Sequence, residues 1–272
     1  MMMIGGKHLL PQLDEDHPVT RNALHKTDPG TFGTLPDAHA ARLRERYGHL
    51  SGQELLEIAI GSEFPGRIAL ASSFGAESAV LLHMVSRIDS ALPVLFLNTG
   101  KLFGETLRYR DELIGRLGLT GITEIKPEPA RLQQADEKGV LWRTDPDLCC
   151  HIRKVAPLED ALRNFDAWIT GRKRFQGGLR GNLPSIEATA THVKINPLAG
   201  WRKDDVDAYF EAHGLPRHPL EADGFLSIGC MPCTDRAAPG ADARSARWAG
   251  TGKTECGIHL PPPETFPQGN DR

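Results

Sequence analysis

Five cysteines are the residues of this chain whose types and spacing indicate chemistry most directly. They form an adjacent pair, Cys149 and Cys150, a Cys-x-x-Cys pair, Cys230 and Cys233, and a single thiol, Cys256. Four thiolates can complete one site for a soft metal or a cluster, and the fifth stays free to react as a nucleophile. The pattern therefore predicts one cofactor and one reactive cysteine.

The adjacent pair bears on which cofactor that is. Neighbouring side chains on a helix diverge by about 100°, whereas zinc ligands are usually separated by a few residues. Cys149 and Cys150 would reach one small ion poorly, but a larger iron-sulfur cube tolerates the divergence. The spacing favours a [4Fe-4S] cluster on the two pairs, with a zinc site and unliganded core cysteines as the alternatives.

A turn that contains serine and glycine predicts a second functional element. Residues 72–78 read Ser-Ser-Phe-Gly-Ala-Glu-Ser and lie between a predicted strand and a predicted helix. Backbone N–H groups and the helix dipole at such a turn bind phosphate or sulfate, which makes Ser72, Ser73 and Gly75 candidate anion-binding residues. Because the same residue types also suit an ordinary helix cap, the turn alone does not decide between the two roles.

These motifs lie in a chain that alternates between strand and helix patterns. From Arg67 onward, short apolar runs are followed by polar turns and amphipathic segments, which predicts parallel strands joined by helices. Strands are predicted at 68–72, 94–98, 122–126 and 167–171, with a further strand pattern at 186–195, and helices at 40–50, 52–64, 76–88, 103–117, 130–138, 147–162 and 203–213. We therefore predict an α/β fold with a doubly wound, mainly parallel sheet, which holds its ligand at the carboxyl ends of the strands.

The chain divides into three predicted segments. Residues 1–37 show no sustained periodicity, which predicts a flexible leader. Residues 38–215 form the α/β domain, and residues 216–272 are rich in glycine and proline. We expect this last segment to be loop-rich, to carry the second cysteine pair and to end in a mobile tail around Cys256.

The composition excludes several classes of protein. The 272 residues carry a formal net charge of −3, with 40% hydrophobic and 25% charged residues, so bulk binding of nucleic acid is not implied. The apolar runs are too short to span a membrane, and the N-terminus has no small-residue cleavage site of the kind that follows a secretory signal. We expect a soluble cytoplasmic protein, in which paired cysteines more often bind metal than form disulfides.

Three separated motifs resemble one enzyme family. They are Cys-Cys-His-Ile-Arg-Lys at 149–154, Gly-Cys-Met-Pro-Cys-Thr at 229–234 and Lys-Thr-Glu-Cys-Gly-Ile-His at 253–259. Together they resemble the assimilatory adenylyl-sulfate reductases of the adenylyl-sulfate and phosphoadenylyl-sulfate reductase family, over residues 55–260. The 72–78 turn is similar to the pyrophosphate loop of adenine-nucleotide enzymes, in the reductase form that has Glu77 where ATP-splitting relatives have aspartate.

The resemblance implies a reaction, a cofactor and a partner. It implies reduction of adenosine 5′-phosphosulfate to sulfite and AMP, with thioredoxin or glutaredoxin as the reductant. It also implies a [4Fe-4S] cluster on Cys149, Cys150, Cys230 and Cys233. Cys256 would attack the sulfate sulfur and carry it as an S-sulfocysteine until a thiol of the reductant releases sulfite.

The expected substrate contacts come partly from the resemblance and partly from position in the sheet. Lys154 follows Cys150 by one helical turn, which would place a cation between cluster and substrate, and Arg244 and Arg247 match the family's Arg-x-x-Arg-Trp. The other expected contacts, at strand ends or in the motifs, are Ser72, Ser73, Gly75, Leu97, Gly171, Arg172 and His259. The basic loop after the fourth strand departs from the family pattern, so Lys173, Arg174 and Arg180 are left without assigned roles.

Other functions compete with this interpretation. The two cysteine pairs favour the unphosphorylated nucleotide, since the cluster-free phosphoadenylyl-sulfate reductases lack both pairs, but a reductase for the 3′-phosphorylated nucleotide is the first alternative. An ATP-dependent tRNA thiolation enzyme would be expected to have aspartate in place of Glu77 and a basic RNA surface. A zinc-stabilised nucleotide-binding module without catalysis is a third. A homo-oligomer is compatible with the sequence.

Overall fold

A six-stranded sheet forms the centre of the computed structural model, which describes residues 35–238 and 240–260. The strands are β1 (Ile68–Ser72), β2 (Val94–Leu97), β3 (Ile122–Ile125), β4 (Ala167–Ile169), β5 (Ile186–Ala188) and β6 (Val193–Ile195). They lie in the order β3-β2-β1-β4-β6-β5, and β5 alone among them runs antiparallel to its neighbour. The predicted doubly wound, mainly parallel sheet is confirmed.

Helices connect the strands and cover the sheet. They are α1 (Leu35–Tyr47), α2 (Gly52–Ile58), α3 (Ser78–Ile88), α4 (Gly104–Leu117), α5 (Pro129–Asp136), α6 (Leu141–Thr144), α7 (Pro146–Cys150), α8 (Ala156–Leu162) and α9 (Lys203–Ala212). Two π-helical segments, Ala59–Glu63 and His151–Val155, extend α2 and join α7 to α8. In the described part of the chain, no helix is long and apolar enough to cross a membrane.

The two faces of the sheet are buried against different helices. Leu70 and Ile169 belong to the larger apolar cluster, which also contains residues of α1 to α4 and α9. Ala69 and Trp168 point to the other face, where they belong to a smaller cluster with Leu158 of α8. Burial on both faces is the reason that these strands read as continuous apolar runs instead of alternating ones.

The structure corrects two predicted elements. Residues 186–195, predicted as one strand, form a hairpin in which β5 pairs with β6, with Glu187 opposite Lys194. The turn between them is closed by the N–H of Thr189, which donates to the carbonyl of His192 at 2.8 Å. The apolar positions are even-numbered before the turn, at Ile186 and Ala188, and odd-numbered after it, at Val193 and Ile195, because the paired residues of the two strands face the same side of the sheet.

The predicted helix at 147–162 is interrupted by the His151–Val155 π segment. Proline has no N–H, so Pro157 cannot donate to the carbonyl four residues before it. The residue before it, Ala156, donates its N–H to the carbonyl of His151, five residues earlier, which is the hydrogen-bond spacing of a π-helix.

The described residues cover only part of the three predicted segments. The predicted leader 1–37 lies outside the described residues except for 35–37, which are already part of α1. Residues 261–272 of the predicted mobile tail also lie outside them. The C-terminal segment that is described consists of loops and short 3₁₀ turns, among them Met231–Cys233 and Gly257–His259.

Candidate active site

A cleft opens at the carboxyl ends of β1 and β4. It encloses about 1220 Å³, including its open mouth. Its walls are the 72–78 turn after β1, the 170–180 loop after β4, the 226–230 segment and the 244–259 segment, which we call the tail. From β1 the chain continues to β2 on one side of the sheet, and from β4 it continues to the β5–β6 pair on the other side. The cleft therefore lies at the switch point where open α/β sheets bind ligands.

The 72–78 turn is held tightly against its neighbours. The N–H of Phe74 donates to Oγ of Ser72 at 3.2 Å, and the backbone of Phe74 has a φ of 49°. The buried ring of Phe74 meets the ring of Phe96 edge-on, with 5.3 Å between the ring centres. A Cβ on Gly75 would lie 2.9 Å from the carbonyl oxygen of Ile228. Glycine is therefore needed where the turn touches the opposite wall of the cleft.

Positive charge dominates the cleft lining. It contains six cationic side chains and one carboxylate, that of Glu77. The cations are Lys154, Arg172, Lys173, Arg180, Arg244 and Arg247. Glu77 accepts from Nζ of Lys173 at 2.9 Å and from Nε2 of Gln176 at 3.2 Å, so its charge is offset within the wall. Carboxylates behind the lining pair with Arg172 and with the two arginines Arg180 and Arg244, and the positive charge that is left favours an anionic ligand.

The arginines are fixed by contacts outside the open space of the cleft. Nε of Arg247 donates to the carbonyl of Cys233 at 3.1 Å, and its guanidinium lies 4.5 Å from the centre of the Trp248 ring. Arg172 forms an ion pair with Glu187 of β5. Burial, with Arg180 nearby, lowers the pKa of Arg172 to about 10. Both side chains stay cationic at neutral pH, and both are already oriented.

The two cysteine pairs meet in a separate, smaller cavity, which we call the cysteine cavity. Cys149, Cys150, Cys230 and Cys233 all line it, together with Lys101, Arg153 and Lys154. The segment around Cys230 is held in place by the N–H of Met231, which donates to the carbonyl of Lys101 at 2.7 Å. Two distant segments thus line one cavity.

The donor set of the cysteine cavity suits a soft cofactor. Burial raises the pKa of both Cys149 and Cys233, so these thiols need a metal or cationic neighbours to ionise. Among the described residues, no three His, Cys, Asp or Glu side chains converge closely enough to hold a single metal ion. Four soft sulfur donors around one cavity with three cations beside it fit a cluster.

Lys154 lies between the two spaces and lines both. Burial disfavours its charge, but the sulfurs of Cys230, Cys256 and Cys150 outweigh burial and raise the pKa of Lys154 above its ordinary value. Its predicted role, as a cation between a cluster and a substrate, stays a prediction.

Cys256 lies in the tail, half-buried, at the boundary between the cleft and α7. A hydrogen bond from the Cys150 thiol lowers the pKa of Cys256 well below its usual range against the effect of burial, and Lys154 acts in the same direction. A cluster-bound Cys150 could not donate, since a thiolate carries no proton. Lys154, the backbone N–H of Ile258 and Arg247 are then the groups that stabilise the Cys256 thiolate.

Glu255 fixes the backbone next to this cysteine. Its carboxylate, 4% exposed, accepts a two-pronged bond from Arg180 at 2.6 and 2.8 Å and a bond from Arg244 at 2.9 Å. Its Oε1 also accepts the N–H of Cys256 at 2.8 Å. The two guanidinium groups keep the pKa of Glu255 low although burial would raise it.

His259 lines the cleft beside Trp168. Its ring stacks on Trp168 at 6.1 Å with an interplanar angle of 6°, and Nζ of Lys194 lies 4.5 Å from the centre of the same indole ring. Burial, reinforced by Lys194 and Arg172, lowers the pKa of His259 well below its ordinary value. The ring is therefore neutral, and its buried Nδ1 has no hydrogen-bond partner among the described residues.

The structure brings the predicted site residues together in two adjacent places. The cleft is lined by Ser72, Ser73, Gly75, Leu97, Lys154, Gly171, Arg172, Arg244, Arg247, Cys256 and His259. The cysteine cavity takes Cys149, Cys150 and Cys233, and Cys230 lines both spaces. Of the unassigned basic loop, Lys173 and Arg180 line the cleft, whereas Nε of Arg174 donates to the carbonyl of Leu183.

Several residues of the site were missed from the sequence. Gln176, Trp168 and Trp248 line the cleft, and Glu255 and Lys194 lie behind it. Glu255 is adjacent to the predicted nucleophile, and Lys194 is a lysine between two buried strand residues, Val193 and Ile195. Both positions carry a signal in the sequence, because a charge beside a reactive thiol or inside a buried strand requires a partner.

Comparisons of the sequence with known proteins agree on one family. The family model described as phosphoadenosine phosphosulfate reductase domain matches residues 67–236. The chain is similar to the adenosine 5′-phosphosulfate reductase of Mesorhizobium japonicum, 54% identical over 223 residues, 82% of this chain and 88% of the relative. It is 50% identical to the enzyme of the same name from a Chelativorans species over 226 residues, 83% of this chain and 92% of the relative.

A solved structure shares the fold. The phosphoadenylyl-sulfate reductase from Candida auris, determined as a phosphate complex, superposes with a TM-score of 0.62 and 26% identity. The match covers 73% of this chain and 97% of that one.

Proposed function

Because the chain belongs to the phosphoadenosine phosphosulfate reductase family, we propose that it reduces adenosine 5′-phosphosulfate to sulfite and AMP. The observation that carries the proposal is the placement of Cys256, which lies in the wall of a cationic cleft beside the 72–78 turn and the cysteine cavity. A thiol nucleophile, an anion-binding turn and oriented arginines in one cleft are the groups this reaction needs.

The cleft supplies binding for the phosphosulfate group. Backbone N–H groups of the 72–78 turn and the N-terminus of α3 favour the phosphate. Arg172, Arg244 and Arg247 are placed to neutralise the sulfonate and the AMP that leaves. In this assignment the stacked Trp168 and His259 rings line the same space.

The proposed chemistry proceeds in two displacements on sulfur. The Cys256 thiolate attacks the sulfate sulfur, an S–S bond forms, and the S–O bond to the phosphate breaks as AMP leaves with the electron pair. A thiolate of the reductant then attacks Sγ of Cys256, sulfite leaves, and the second thiol of the reductant resolves the mixed disulfide. A dithiol protein of the thioredoxin or glutaredoxin type supplies the two electrons.

We further propose that Cys149, Cys150, Cys230 and Cys233 hold a [4Fe-4S] cluster. The adjacent pair and the shared cysteine cavity support this assignment. When bound, the cluster would supply a fixed charge beside Lys154 and a covalent link between α7 and the 230–233 turn. A cytoplasmic location, where thiols stay reduced, is consistent with this cofactor and forms part of the proposal.

The unphosphorylated nucleotide is the proposed substrate. Two relatives that share half or more of their aligned residues with this chain are named adenosine 5′-phosphosulfate reductases. A reductase for the 3′-phosphorylated nucleotide is the second candidate, because the Candida auris structure of that name shares the fold at 26% identity. Sulfite release from the two nucleotides, compared with thioredoxin present, decides between them, and equal or faster turnover of the phosphorylated one would overturn the proposed preference.

Two measurements test the cofactor and the nucleophile separately. Protein purified without oxygen should be coloured and contain iron and sulfide, and colourless protein with zinc would contradict the cluster.

Cys256→Ser should keep the visible spectrum and bind nucleotide, yet form no sulfite and trap no S-sulfonate. Cys230→Ser is the matched control, because this variant should lose the cluster. Sulfite formation by Cys256→Ser would show that the Cys256 thiol is not part of the mechanism.

A further inference from the structure

The carboxylate of Glu255 joins three parts of the cleft wall. Oε2 accepts Nε of Arg180, while Oε1 accepts Nη2 of Arg180, Nη2 of Arg244 and the backbone N–H of Cys256. A buried carboxylate with this many charge-assisted bonds is strongly fixed in place. The bond to the Cys256 N–H therefore ties the backbone of the proposed nucleophile to two arginines of the cleft.

The contacts continue from Arg180 to the 72–78 turn. Nη1 of Arg180 donates to Oε1 of Gln176, and Nε2 of Gln176 donates to Oε2 of Glu77 at 3.2 Å. Glu77 also accepts Nζ of Lys173 and lies at the start of α3. A continuous series of hydrogen bonds thus runs from the backbone of Cys256 to the turn expected to hold the phosphate.

Other contacts hold the tail on either side of the cysteine. Nη2 of Arg244 donates to the carbonyl of Thr254 at 3.1 Å, and Lys253 forms an ion pair with Asp147. A Cβ on Gly257 would lie 3.0 Å from Cγ2 of Val155, so the tail packs directly on the π segment. Glu255 adds to these the bond that fixes the Cys256 N–H itself.

We propose that Glu255 is a positioning residue, which sets the backbone of Cys256 relative to Arg180 and Arg244 so that its sulfur faces the bound sulfate group. The inference rests on the proposed function for its catalytic consequence. In chemical terms, the carboxylate neutralises one of the two guanidinium charges and leaves the pair with a net positive charge for the substrate. The distance from thiol to sulfate sulfur is then set before substrate binds, as near-attack geometry requires.

Glu255→Gln in the holoenzyme tests this role. The amide keeps the size of the side chain but loses the charge and directs an NH₂ group at a guanidinium. We expect kcat to fall by about 100-fold. KM for the nucleotide should stay within about threefold of wild type, because Arg172 and Arg247 are held by contacts that do not involve Glu255 and Arg244 keeps its bond to the Thr254 carbonyl. The iron content and the visible spectrum should be unchanged. Glu255→Asp keeps the charge and should restore part of the lost kcat.

Alkylation of Cys256 gives a readout that does not depend on the reaction. Iodoacetamide labelling, followed by mass spectrometry of the peptide that contains Cys256, should be about tenfold faster in Glu255→Gln, as expected when a restrained segment opens more often. Asp166→Asn is the matched control, because it breaks another Arg–carboxylate pair, with Arg67, at the opposite end of β4. That variant should label and turn over like wild type.

The outcomes separate the two proposals. If the wild-type protein forms no sulfite from either nucleotide, the proposed function is rejected. Faster labelling of Cys256 in Glu255→Gln would still support the positioning role in that case. Labelling and kcat within about twofold of wild type would overturn the positioning role. So would a loss of kcat accompanied by loss of the cluster, since Glu255 would then act on overall structure. If Glu255→Gln does not fold, Arg180→Gln breaks the same contact from the other side and should accelerate labelling equally.

Discussion

Single glycines allow the closest approaches in the site. A Cβ on Gly229, beside the second cysteine pair, would lie 2.3 Å from Nη2 and 2.7 Å from Cζ of Arg247. The guanidinium of Arg247 therefore occupies the space that any other residue at this position would fill. Its Nε is already bonded to the carbonyl of Cys233, so the arginine cannot move aside without losing that contact.

Gly229→Ala should consequently weaken nucleotide binding. The added methyl group displaces the Arg247 guanidinium from the cleft wall, and loss of one oriented charge-assisted contact raises KM by about tenfold. Steady-state kinetics with adenosine 5′-phosphosulfate measures the effect. Gly115→Ala is the control, because a Cβ at this position in α4 has nothing within 4 Å; an equal KM in the two variants would contradict the assignment.

At the scale of elements, the stretch from α7 through the π segment to α8 organises both spaces. It carries Cys149 and Cys150 at the end of α7 and Lys154 one turn later. Arg153, in the same segment, ties it to the rest of the domain by donating to the carbonyl of Thr99 at 2.8 Å and to Asp136 of α5 at 2.6 Å. The ion pair is almost completely buried, with side-chain exposures of 8% and 2%.

Removing one partner of this pair should destabilise the protein. Asp136→Asn leaves the Arg153 charge buried without its counter-charge, which costs about 3 kcal/mol and lowers the melting temperature by about 6–12 °C. Asp160→Asn, in an exposed pair with Arg163, should change the melting temperature little. Thermal unfolding of the three proteins checks this, and equal melting temperatures would show that the buried pair contributes nothing to stability.

At the scale of the molecule, charge is distributed unevenly. The whole chain has a formal net charge of −3, yet the cleft lining holds six cations and one carboxylate. The topology produces this concentration, because the loops after β1 and β4 both emerge at the switch point of the sheet. A mildly acidic protein can therefore present a cationic site to an anionic nucleotide.

The global stability should also depend on pH through one buried histidine. His218 is 1% exposed, and its Nδ1 accepts the N–H of Leu220 at 3.2 Å while Nε2 lies 3.0 Å from Oγ1 of Thr106. Burial lowers the pKa of His218 from 6.5 to about 4. Between these two values the unfolded chain binds a proton that the folded protein does not, so stability falls as the pH decreases through this window.

We expect His218→Gln to lose this dependence. At about pH 5 the histidine should cost the folded state about 2 kcal/mol relative to neutral pH, and the variant should not pay it. Melting temperatures measured across this range should therefore fall more steeply in wild type than in the variant. His49→Gln, which replaces an exposed histidine, should follow wild type, and parallel curves for wild type and His218→Gln would refute the prediction.

The sequence predicted the elements whose signals are local. The 72–78 turn, the two cysteine pairs and four of the strands are marked by consecutive residues, and all of them lie close to their predicted positions. The β5–β6 hairpin and the π segment were missed. The apolar positions change from even to odd numbers between Ala188 and Val193, a phase change that marks the reversal and that the prediction of one strand overlooked. Pro157 signals a break in a helix without stating how the backbone accommodates it.

By itself, then, the sequence determined which residue types could do chemistry: four cysteines in pairs, a fifth alone, a turn for an anion and a set of basic residues. Only the tertiary structure decided which charges face the cleft and which face each other. Arg180 and Glu255 are 75 residues apart and meet as a buried pair at 2.6 Å, while Arg174, in the same basic loop, bonds to a backbone carbonyl. Spacing along the chain cannot specify such partners, because a buried charge is paired by the packing of distant segments.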